Sequence, residues 1–187
     1  MCGGRGTRLD ADAEKPLFEV GGRPMVDRVL DALADGRVET THAVVSPHAP
    51  RTRDHIDRIA AGADADCSII DAPGEGYVAD LGDALERVER PVLTVAADLP
   101  LLDGDAVDAV LREFAGDSLA VRVPVAAKRA LGVSVDARLT DGDRDLLPAG
   151  VNVVAAGDEE DAFTTDDVRF TVNVNRRRDA RVAEALL

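Results

Sequence analysis

The stretch Pro91-Val92-Leu93-Thr94-Val95-Ala96-Ala97, residues 91–97, is a continuous apolar run that ends directly at Asp98-Leu99-Pro100. A run without polar alternation is typical of a strand that is buried on both faces. Similar runs at 42–45 and 67–70 alternate with segments whose apolar residues follow helical spacing. This alternation, with short links, predicts an α/β fold: a three-layer αβα sandwich with a mainly parallel sheet. The length of 187 residues fits one domain over 1–187.

The same patterns predict the later elements. Further strands are expected at 119–125, 151–155 and 169–174, and a closing helix at 178–187. Two acidic stretches, 136–145 and 158–167, are expected to be solvated surface loops.

The composition is strongly acidic, with a formal net charge of −14. There are 26 Asp and 10 Glu, but the basic residues are 20 Arg and only two Lys, Lys15 and Lys128. Such a balance argues against a nucleic-acid partner, whose binding surface would be basic. It favours the salt-rich cytosol of a halophile, where salt screens the repulsion between carboxylates. An ordinary acidic protein from a GC-rich genome stays open as the alternative.

Targeting and cysteine patterns add two expectations. No apolar run approaches the ~20 residues of a membrane span, and no signal-peptide core is present at the start. A cytoplasmic protein without membrane insertion is therefore expected. Cys2 and Cys67 are too few for a disulfide framework and lack zinc-site spacing, so both are expected to be small buried residues.

The chain opens with the glycine-rich stretch Met1-Cys2-Gly3-Gly4-Arg5-Gly6-Thr7-Arg8-Leu9. Glycines let backbone N–H groups turn toward one point, and with Arg8 and Lys15 they suit a polyphosphate. The spacing matches neither the P-loop nor the dinucleotide fingerprint, which would need glycine where Leu9 stands. The residues expected to bind nucleotide here are Gly3, Gly4, Arg5, Gly6, Thr7, Arg8 and Lys15.

Two details qualify this loop. In a chain that uses arginine as its cation, Lys15 indicates a need for a compact ammonium. A phosphate loop should also follow a strand, yet only Met1 and Cys2 precede Gly3. We expect the numbered sequence to begin inside the first strand, with apolar residues upstream supplying the rest; an ordinary turn at Gly3-Gly4 is the alternative.

Asp98 is expected at the carboxyl end of the clearest strand, where open α/β sheets bind their ligands. A carboxylate at this place suits Mg²⁺, which prefers oxygen ligands and usually takes one or two carboxylates together with phosphates. A helix N-cap is the alternative role for Asp98. In Asn173-Val174-Asn175, alternate residues of a strand would place both amides on one side.

Gly-Gly-x-Gly-Thr-Arg-Leu at 3–9, followed by Glu-Lys-Pro-Leu at 14–17, resembles the signature of nucleotidyltransferases that activate phosphates with an NTP. The resemblance implies a Rossmann-like fold, a catalytic set of Lys15, Arg8 and Asp98, and Mg²⁺ on Asp98. The Asn-x-Asn motif looks like the one that closes the molybdenum-cofactor guanylyltransferases and approaches metal and triphosphate, which implies Asn173 as a second metal ligand. Arg176-Arg177 depart from the usual Thr-Pro there, and a hydrogen-bonded strand end stays open.

Two internal segments, 71–81 and 147–154, are similar to the archaeal GTP:adenosylcobinamide-phosphate guanylyltransferases of the cobalamin pathway. That resemblance implies transfer of GMP from GTP to adenosylcobinamide phosphate. Gly74, Gly76 and Asp80 are then expected at the guanine, because a carboxylate accepts from paired N–H donors; a plain helix-start loop is the alternative. Gly150 and Asn152 are expected near the corrinoid, although Gly150 also fits a bulge.

Other function classes stay open at this point. One is guanylyl or cytidylyl transfer to the molybdenum cofactor, and another is a regulatory domain that binds nucleotide without catalysis. The base preference and the assembly, monomer or homodimer, are also open.

Overall fold

A computed structural model describes residues 1–2, 9, 13–62, 66–135, 139–141 and 144–187. A short 3₁₀ turn covers Lys15–Leu17. The helices are α1 (Met25–Asp35), α2 (Pro50–Ala60), α3 (Tyr77–Leu85), α4 (Gly104–Glu113), α5 (Val125–Leu131), α6 (Val168–Thr171) and α7 (Arg177–Leu186). The strands are β1 (Glu19–Val20), β2 (Arg23–Pro24), β3 (Thr41–Val45), β4 (Cys67–Asp71), β5 (Val92–Val95), β6 (Ser118–Pro124), β7 (Leu139–Asp141), β8 (Arg144–Val154) and β9 (Glu160–Thr164).

The sheet is mixed, and one long strand is reversed within it. β3 and β4 pair in parallel, as do β6 and β9. β8 runs antiparallel to β5, β6 and β7, so these three strands share one direction. The main chain of residues 1–2 connects the β3–β4 pair with the sheet that contains β5 to β9. Met1 N donates to Val95 O at 2.9 Å, Ala97 N donates to Met1 O at 3.3 Å, and Cys2 N donates to Val44 O at 2.8 Å.

Helices cover both faces of β3, as alternate strand residues require. Ala43 and Val45 pack on one side in a cluster with Val26 of α1 and Ile56 of α2. Val44, between them, packs on the other side with residues of β4 and α3. The αβα layering inferred from the alternation of strands and helices is therefore confirmed. The largest cluster buries α1 and α4 against β5, β6 and β8.

A cavity of about 620 Å³ lies beside Met1 and Cys2, with mainly apolar walls from α1, α3, β3 and β5. The expectation of further strand residues ahead of Met1 stays a prediction.

Cys2 is buried, Cys67 is half-buried, and both are free thiols, without a disulfide.

Three local predictions were wrong. Residues 169–174 do not form a strand, because Asp167 accepts a hydrogen bond from Arg169 N and caps the short helix α6, after which the chain is extended. The acidic stretch 158–167 contains β9, which is paired along β6, and the stretch 136–145 contains β7, which is paired with β8. β9 is mostly exposed and carries acidic residues, as edge strands commonly do, so its composition resembles that of a loop.

Gly150 lies at an irregularity in β8. The register between β6 and β8 shifts between Ala120 and Arg122, and Gly150 has a positive φ of 82°. Its carbonyl accepts from Ala96 N at 2.8 Å, and an added Cβ would come within 3.0 Å of the Ala96 Cβ. Glycine thus permits the tight contact between β8 and the end of β5, just before Asp98.

Candidate active site

Lys15 is held between two side chains that are distant in sequence. Its Nζ donates to Asp98 Oδ2 at 2.5 Å and to Asn175 Oδ1 at 2.6 Å. The side chains of Lys15 and Asp98 are 18% and 15% exposed, so the pair is mostly shielded but still reachable from solvent. A compact ammonium fits between two acceptors this close, which is consistent with lysine in a chain dominated by arginine.

Asp98 follows β5, as the sequence predicted, and two elements fix its backbone. Val174 N donates to Asp98 O at 2.9 Å, and the preceding Ala96 is bonded to Gly150. The carboxylate therefore projects from a rigid sheet end into the space beside Lys15. Rigid placement of this kind matters because a displaced catalytic group loses its advantage over water.

Asn175 is held by a fully buried carboxylate at the start of α7. Asp179 is 0% exposed, and its Oδ2 accepts from Asn175 N at 3.0 Å and from Arg176 N at 2.8 Å. Asp179 also accepts from Ser134 N at 2.8 Å and from Ser134 Oγ at 2.7 Å. These bonds offset the cost of burying the charge and orient the residue that contacts Lys15.

Glu14 positions Lys15 from the other side. Its carboxylate accepts from Arg51 N at 3.0 Å, from Thr52 N at 2.7 Å and from Thr52 Oγ1 at 2.6 Å. Glu14 thus caps the first turn of α2, where unpaired N–H groups favour an anion. The residue next to Lys15 in sequence is thereby anchored to a helix end.

Replacing Glu14 by alanine is expected to lower the free energy of unfolding by about 1–2 kcal/mol, because the helix loses its cap. Turnover should also fall, because the turn that carries Lys15 is no longer tied to α2. Urea unfolding and steady-state rates measure both effects. Glu19→Ala, the same change at an exposed glutamate, is the control, and equal losses in the two variants would contradict the anchoring role.

A cavity of about 480 Å³ opens in front of Lys15 and Asp98. Its wall includes Ser46 and His48, to which the sequence assigned no site role. His48 N donates to Ser46 Oγ at 3.3 Å. The volume is within the range of small-ligand sites, about 300–1,000 Å³.

The loop before α3 forms another wall of this cavity, and Asp80 shapes it. Asp80 is buried, and its Oδ1 accepts from Gly74 N at 2.8 Å and from Glu75 N at 3.1 Å. Gly74 has φ of 82° and lies so close to Pro47 that an added Cβ would come within 2.6 Å of its Cγ. Gly76 has φ of 116° and no heavy atom within 4 Å of an added Cβ, so a ligand can approach its backbone closely.

Tyr77 follows this loop and is the one tyrosine of the chain. It is 51% exposed and lines the cavity together with Asp98. Partial burial, and secondarily the negative charge of Asp98, raise the pKa of the Tyr77 hydroxyl above its usual value. The hydroxyl therefore stays protonated at neutral pH and can donate a hydrogen bond.

Asn173, the first asparagine of the Asn-x-Asn motif, also contacts a lysine side chain. Asn173 Oδ1 accepts from Lys128 Nζ at 2.5 Å, and the same ammonium donates to Thr171 O at 2.7 Å. The two sequence-predicted metal ligands, Asp98 and Asn173, are joined through the backbone bond between Val174 N and Asp98 O.

The two residues that the sequence analysis expected near the acceptor substrate, Gly150 and Asn152, lie in different places. Gly150 contacts Ala96, which lines the cavity, whereas Asn152 pairs with Thr94 and Ala120 in the middle of the sheet. Asn152 does not line the cavity within the described part of the chain. Gly3, Gly4, Arg5, Gly6, Thr7 and Arg8 lie outside the described residues, so their nucleotide-binding role stays a prediction.

Comparison with known proteins places this geometry in a family. Residues 1–147 match the MobA-like NTP transferase domain. The chain belongs to this family. Over its whole length it is 30% identical to the adenosylcobinamide-phosphate guanylyltransferase of Methanocaldococcus jannaschii, across 197 aligned positions that cover 100% of this chain and 95% of that protein.

Solved structures agree with the fold of the MobA-like NTP transferase family. A putative glucose-1-phosphate thymidylyltransferase from Bacillus anthracis superposes with a TM-score of 0.73, at 13% identity, over 99% of this chain and 92% of that chain. HddC from Yersinia pseudotuberculosis, complexed with GMP-PN, gives a TM-score of 0.69 at 17% identity, over 99% and 96% of the two chains. The predicted Rossmann-like nucleotidyltransferase fold is confirmed.

One donor of this MobA-like chain, the Asp98 carboxylate, meets the requirement of a magnesium ion for a protein oxygen ligand. Among the described residues, no three His, Cys, Asp or Glu side chains converge as a metal cluster. Mg²⁺ usually needs one or two carboxylates, with phosphates and water for the rest. Asp98, which lines the cavity with a partly exposed carboxylate, meets that requirement.

Sequence reasoning missed the residues that position this MobA-like site. Glu14 belongs to the Glu-Lys-Pro-Leu motif but was given no role of its own, and Asp179, at helix-capping distance from Arg176, was not singled out. None of the helices in the described ranges combines the length and apolarity needed to cross a membrane.

Proposed function

We propose that this protein is a guanylyltransferase that transfers GMP from GTP to adenosylcobinamide phosphate, with release of pyrophosphate. The observation that carries the proposal is the Lys15 ammonium, held in a cavity at the end of β5 by Asp98 and Asn175. Full-length similarity to a protein named for this reaction supports the choice of acceptor. The whole of 1–187 acts as one nucleotidyltransferase domain, because Asn175, beyond the matched region 1–147, contacts Lys15.

In this reaction an oxygen of the acceptor phosphate attacks the α-phosphorus of GTP. A new P–O bond forms, the bond from the α-phosphorus to the bridging oxygen breaks, and its electron pair leaves with pyrophosphate. The acceptor phosphate is already anionic at neutral pH, so no general base and no covalent enzyme intermediate are required. Positioning and charge neutralisation then supply most of the catalysis.

Lys15 has the charge and the place to neutralise the α-phosphate, with Arg8 as the second predicted cation of the catalytic set. The ammonium is paired with Asp98 and Asn175. When a triphosphate enters the cavity, Lys15 turns toward the phosphate oxygens. Mg²⁺, which Asp98 would hold, supplies further positive charge to the phosphate oxygens when bound.

The cavity accommodates the nucleotide. We place the triphosphate at Lys15 and at the glycine loop, Gly3 to Arg8, and the guanine at the loop of Gly74 and Gly76. Because Asp80 Oδ1 is bonded to loop amides, its contribution to base binding is to hold these backbone groups in place.

The corrinoid is too large for the same cavity and must lie mostly outside it. Tyr77 and Val78, which are 51% and 83% exposed, offer apolar surface at the start of α3 beside the cavity. Gly150 borders this region through Ala96, while Asn152 is further away within the sheet. The acidic composition supports a salt-rich cytosol as the working environment.

Pyrophosphate release in molar salt with Mg²⁺ tests the proposal. GTP with adenosylcobinamide phosphate should turn over, and ATP or CTP should turn over much more slowly. Removing the divalent cation with EDTA should abolish the reaction. Turnover with molybdopterin alone as acceptor would refute the proposed acceptor, and nucleotide binding without any turnover would leave a regulatory domain.

A further inference from the structure

The two lysines of this chain meet the same three-residue motif. Lys15 Nζ donates to Asn175 Oδ1, and Lys128 Nζ donates to Asn173 Oδ1 at 2.5 Å. The remaining 20 basic residues are arginines. The only two ammonium side chains of the chain thus donate to the two asparagines of one motif.

Lys128 is a buried cation that hydrogen-bonds to two acceptors. Its side chain, on α5, is 3% exposed, and the ammonium also donates to Thr171 O at 2.7 Å. A buried charge is tolerated when several hydrogen bonds satisfy it. The contact with Asn173 is therefore a fixed feature of the fold and not a surface ion contact.

This contact determines which end of the Asn173 amide is available for a ligand. An ammonium only donates, so the atom that faces it is the carbonyl oxygen, and the amide nitrogen is the other end. The neighbours Val172 and Val174 are buried in an apolar cluster. Strand alternation therefore puts Asn173 on the same side of the segment as Asn175, which contacts Lys15. Among the described residues, neither asparagine lines the cavity of about 480 Å³, so Asn173 would meet a phosphate at the edge of that cavity beside Lys15.

The same contact argues against Asn173 as a metal ligand. A metal could bind Asn173 only through Oδ1, which Lys128 already occupies at 2.5 Å. A divalent cation on that oxygen would lie next to a buried ammonium, and two cations at such a distance repel strongly in a water-poor site. Asp98 differs in two ways: its carboxylate has a second oxygen besides the Oδ2 that Lys15 contacts, and the Lys15 side chain is 18% exposed, whereas Lys128 is 3% exposed. The role in metal binding that family resemblance implied for Asn173 thus conflicts with its partner.

We propose that Lys128 is a positioning residue that fixes Asn173 as a hydrogen-bond donor to a phosphate oxygen of the bound nucleotide. The inference rests on the proposed function, since it requires a nucleoside triphosphate in the cavity. Lys128 orients the amide by binding its oxygen, and the amide N–H₂ then donates to the anion. Asp98 is left as the protein's own metal ligand.

Asn173→Asp is the decisive variant, because it keeps an oxygen for Lys128 but removes the donor and adds a negative charge. Calorimetry in EDTA should show GTP binding weakened by about 10- to 100-fold, the size of a lost hydrogen bond to a charged group. Guanosine binding should not change. A metal-ligand role makes the opposite prediction: unchanged binding in EDTA and a lower Mg²⁺ requirement, and that result would overturn the proposal.

Lys128→Met tests the positioning step, because it keeps the chain length and removes the ammonium. GTP binding in EDTA should weaken by several-fold, less than in Asn173→Asp, since the amide remains but can turn. Arg129→Met, an exposed cation on the same helix, is the matched control and should leave binding unchanged. Unchanged guanosine binding shows that each variant is folded.

The outcomes separate this proposal from the proposed function. If the unmodified protein does not bind GTP, the guanylyltransferase proposal fails. If it binds GTP and Asn173→Asp binds GTP equally well in EDTA, only the role of Lys128 and Asn173 fails.

Discussion

Replacing Lys15 by alanine is expected to lower kcat for GMP transfer by about 100- to 1,000-fold, the usual loss when one group that stabilises transition-state charge is removed. The Lys15 ammonium is held at 2.5 Å from Asp98 and at 2.6 Å from Asn175. Charge develops on the α-phosphate and on the leaving pyrophosphate only as the bonds exchange. The loss should therefore appear mainly in kcat and less in the affinity for GTP.

Two companion variants sharpen this test. Arg112→Ala removes the same charge from an exposed position on α4 and should leave kcat unchanged. Lys15→Arg keeps the charge but replaces a compact ammonium by a wide planar group, so it should recover only part of the rate. A loss of no more than a few-fold in Lys15→Ala would remove Lys15 from the catalytic set.

Asp179→Ala is expected to lower the free energy of unfolding by about 3–5 kcal/mol, because it leaves four donors without their acceptor. The carboxylate is 0% exposed and accepts from the backbone N–H groups of Ser134, Asn175 and Arg176 and from the Ser134 hydroxyl. The two Ser134 donors are buried and lose their bonds without regaining water, whereas the N–H groups of Asn175 and Arg176 are only partly buried. Urea unfolding in molar salt measures the change.

The surface variant Asp158→Ala makes the same chemical change at an exposed site and should alter stability by no more than about 0.5 kcal/mol. Asp179→Asn should be nearly as damaging as Asp179→Ala, because its amide NH₂ would face N–H donors. Folded Asp179→Ala should also turn over slowly, since Asn175 loses the bond that orients it toward Lys15. A stability loss below about 1 kcal/mol would show that the donors find other partners.

The local pattern predicted those parts of the fold that depend on neighbouring residues. The apolar run 91–97 contains β5, and Asp98 lies at its carboxyl end beside the cavity. Residues 169–174 were misread, because the apolar spacing suggested a strand while the cap by Asp167 starts a helix turn. The strand β9 was missed because its pairing with β6 leaves no strong signal in its own acidic sequence.

The sequence singled out Lys15 and Asp98, which the structure brings into contact, but not the residues that position them. Lys15 and Asp98 could be found because the motif and the strand end are local features. Glu14 bonds to Thr52, and Asp179 bonds to Ser134, 45 positions away. A carboxylate whose partners are defined only by the tertiary fold looks, in an acidic sequence, like one more solvated charge.

The contact between Lys15 and Asn175 spans 160 positions of the chain. During synthesis, the amino-terminal segment leaves the ribosome long before Asn175 is made, so this contact can form only after that residue exists. Bringing such distant positions together also costs loop-closure entropy, which the rest of the fold must offset. Translation products that stop before residue 175 therefore lack the asparagine partner of Lys15.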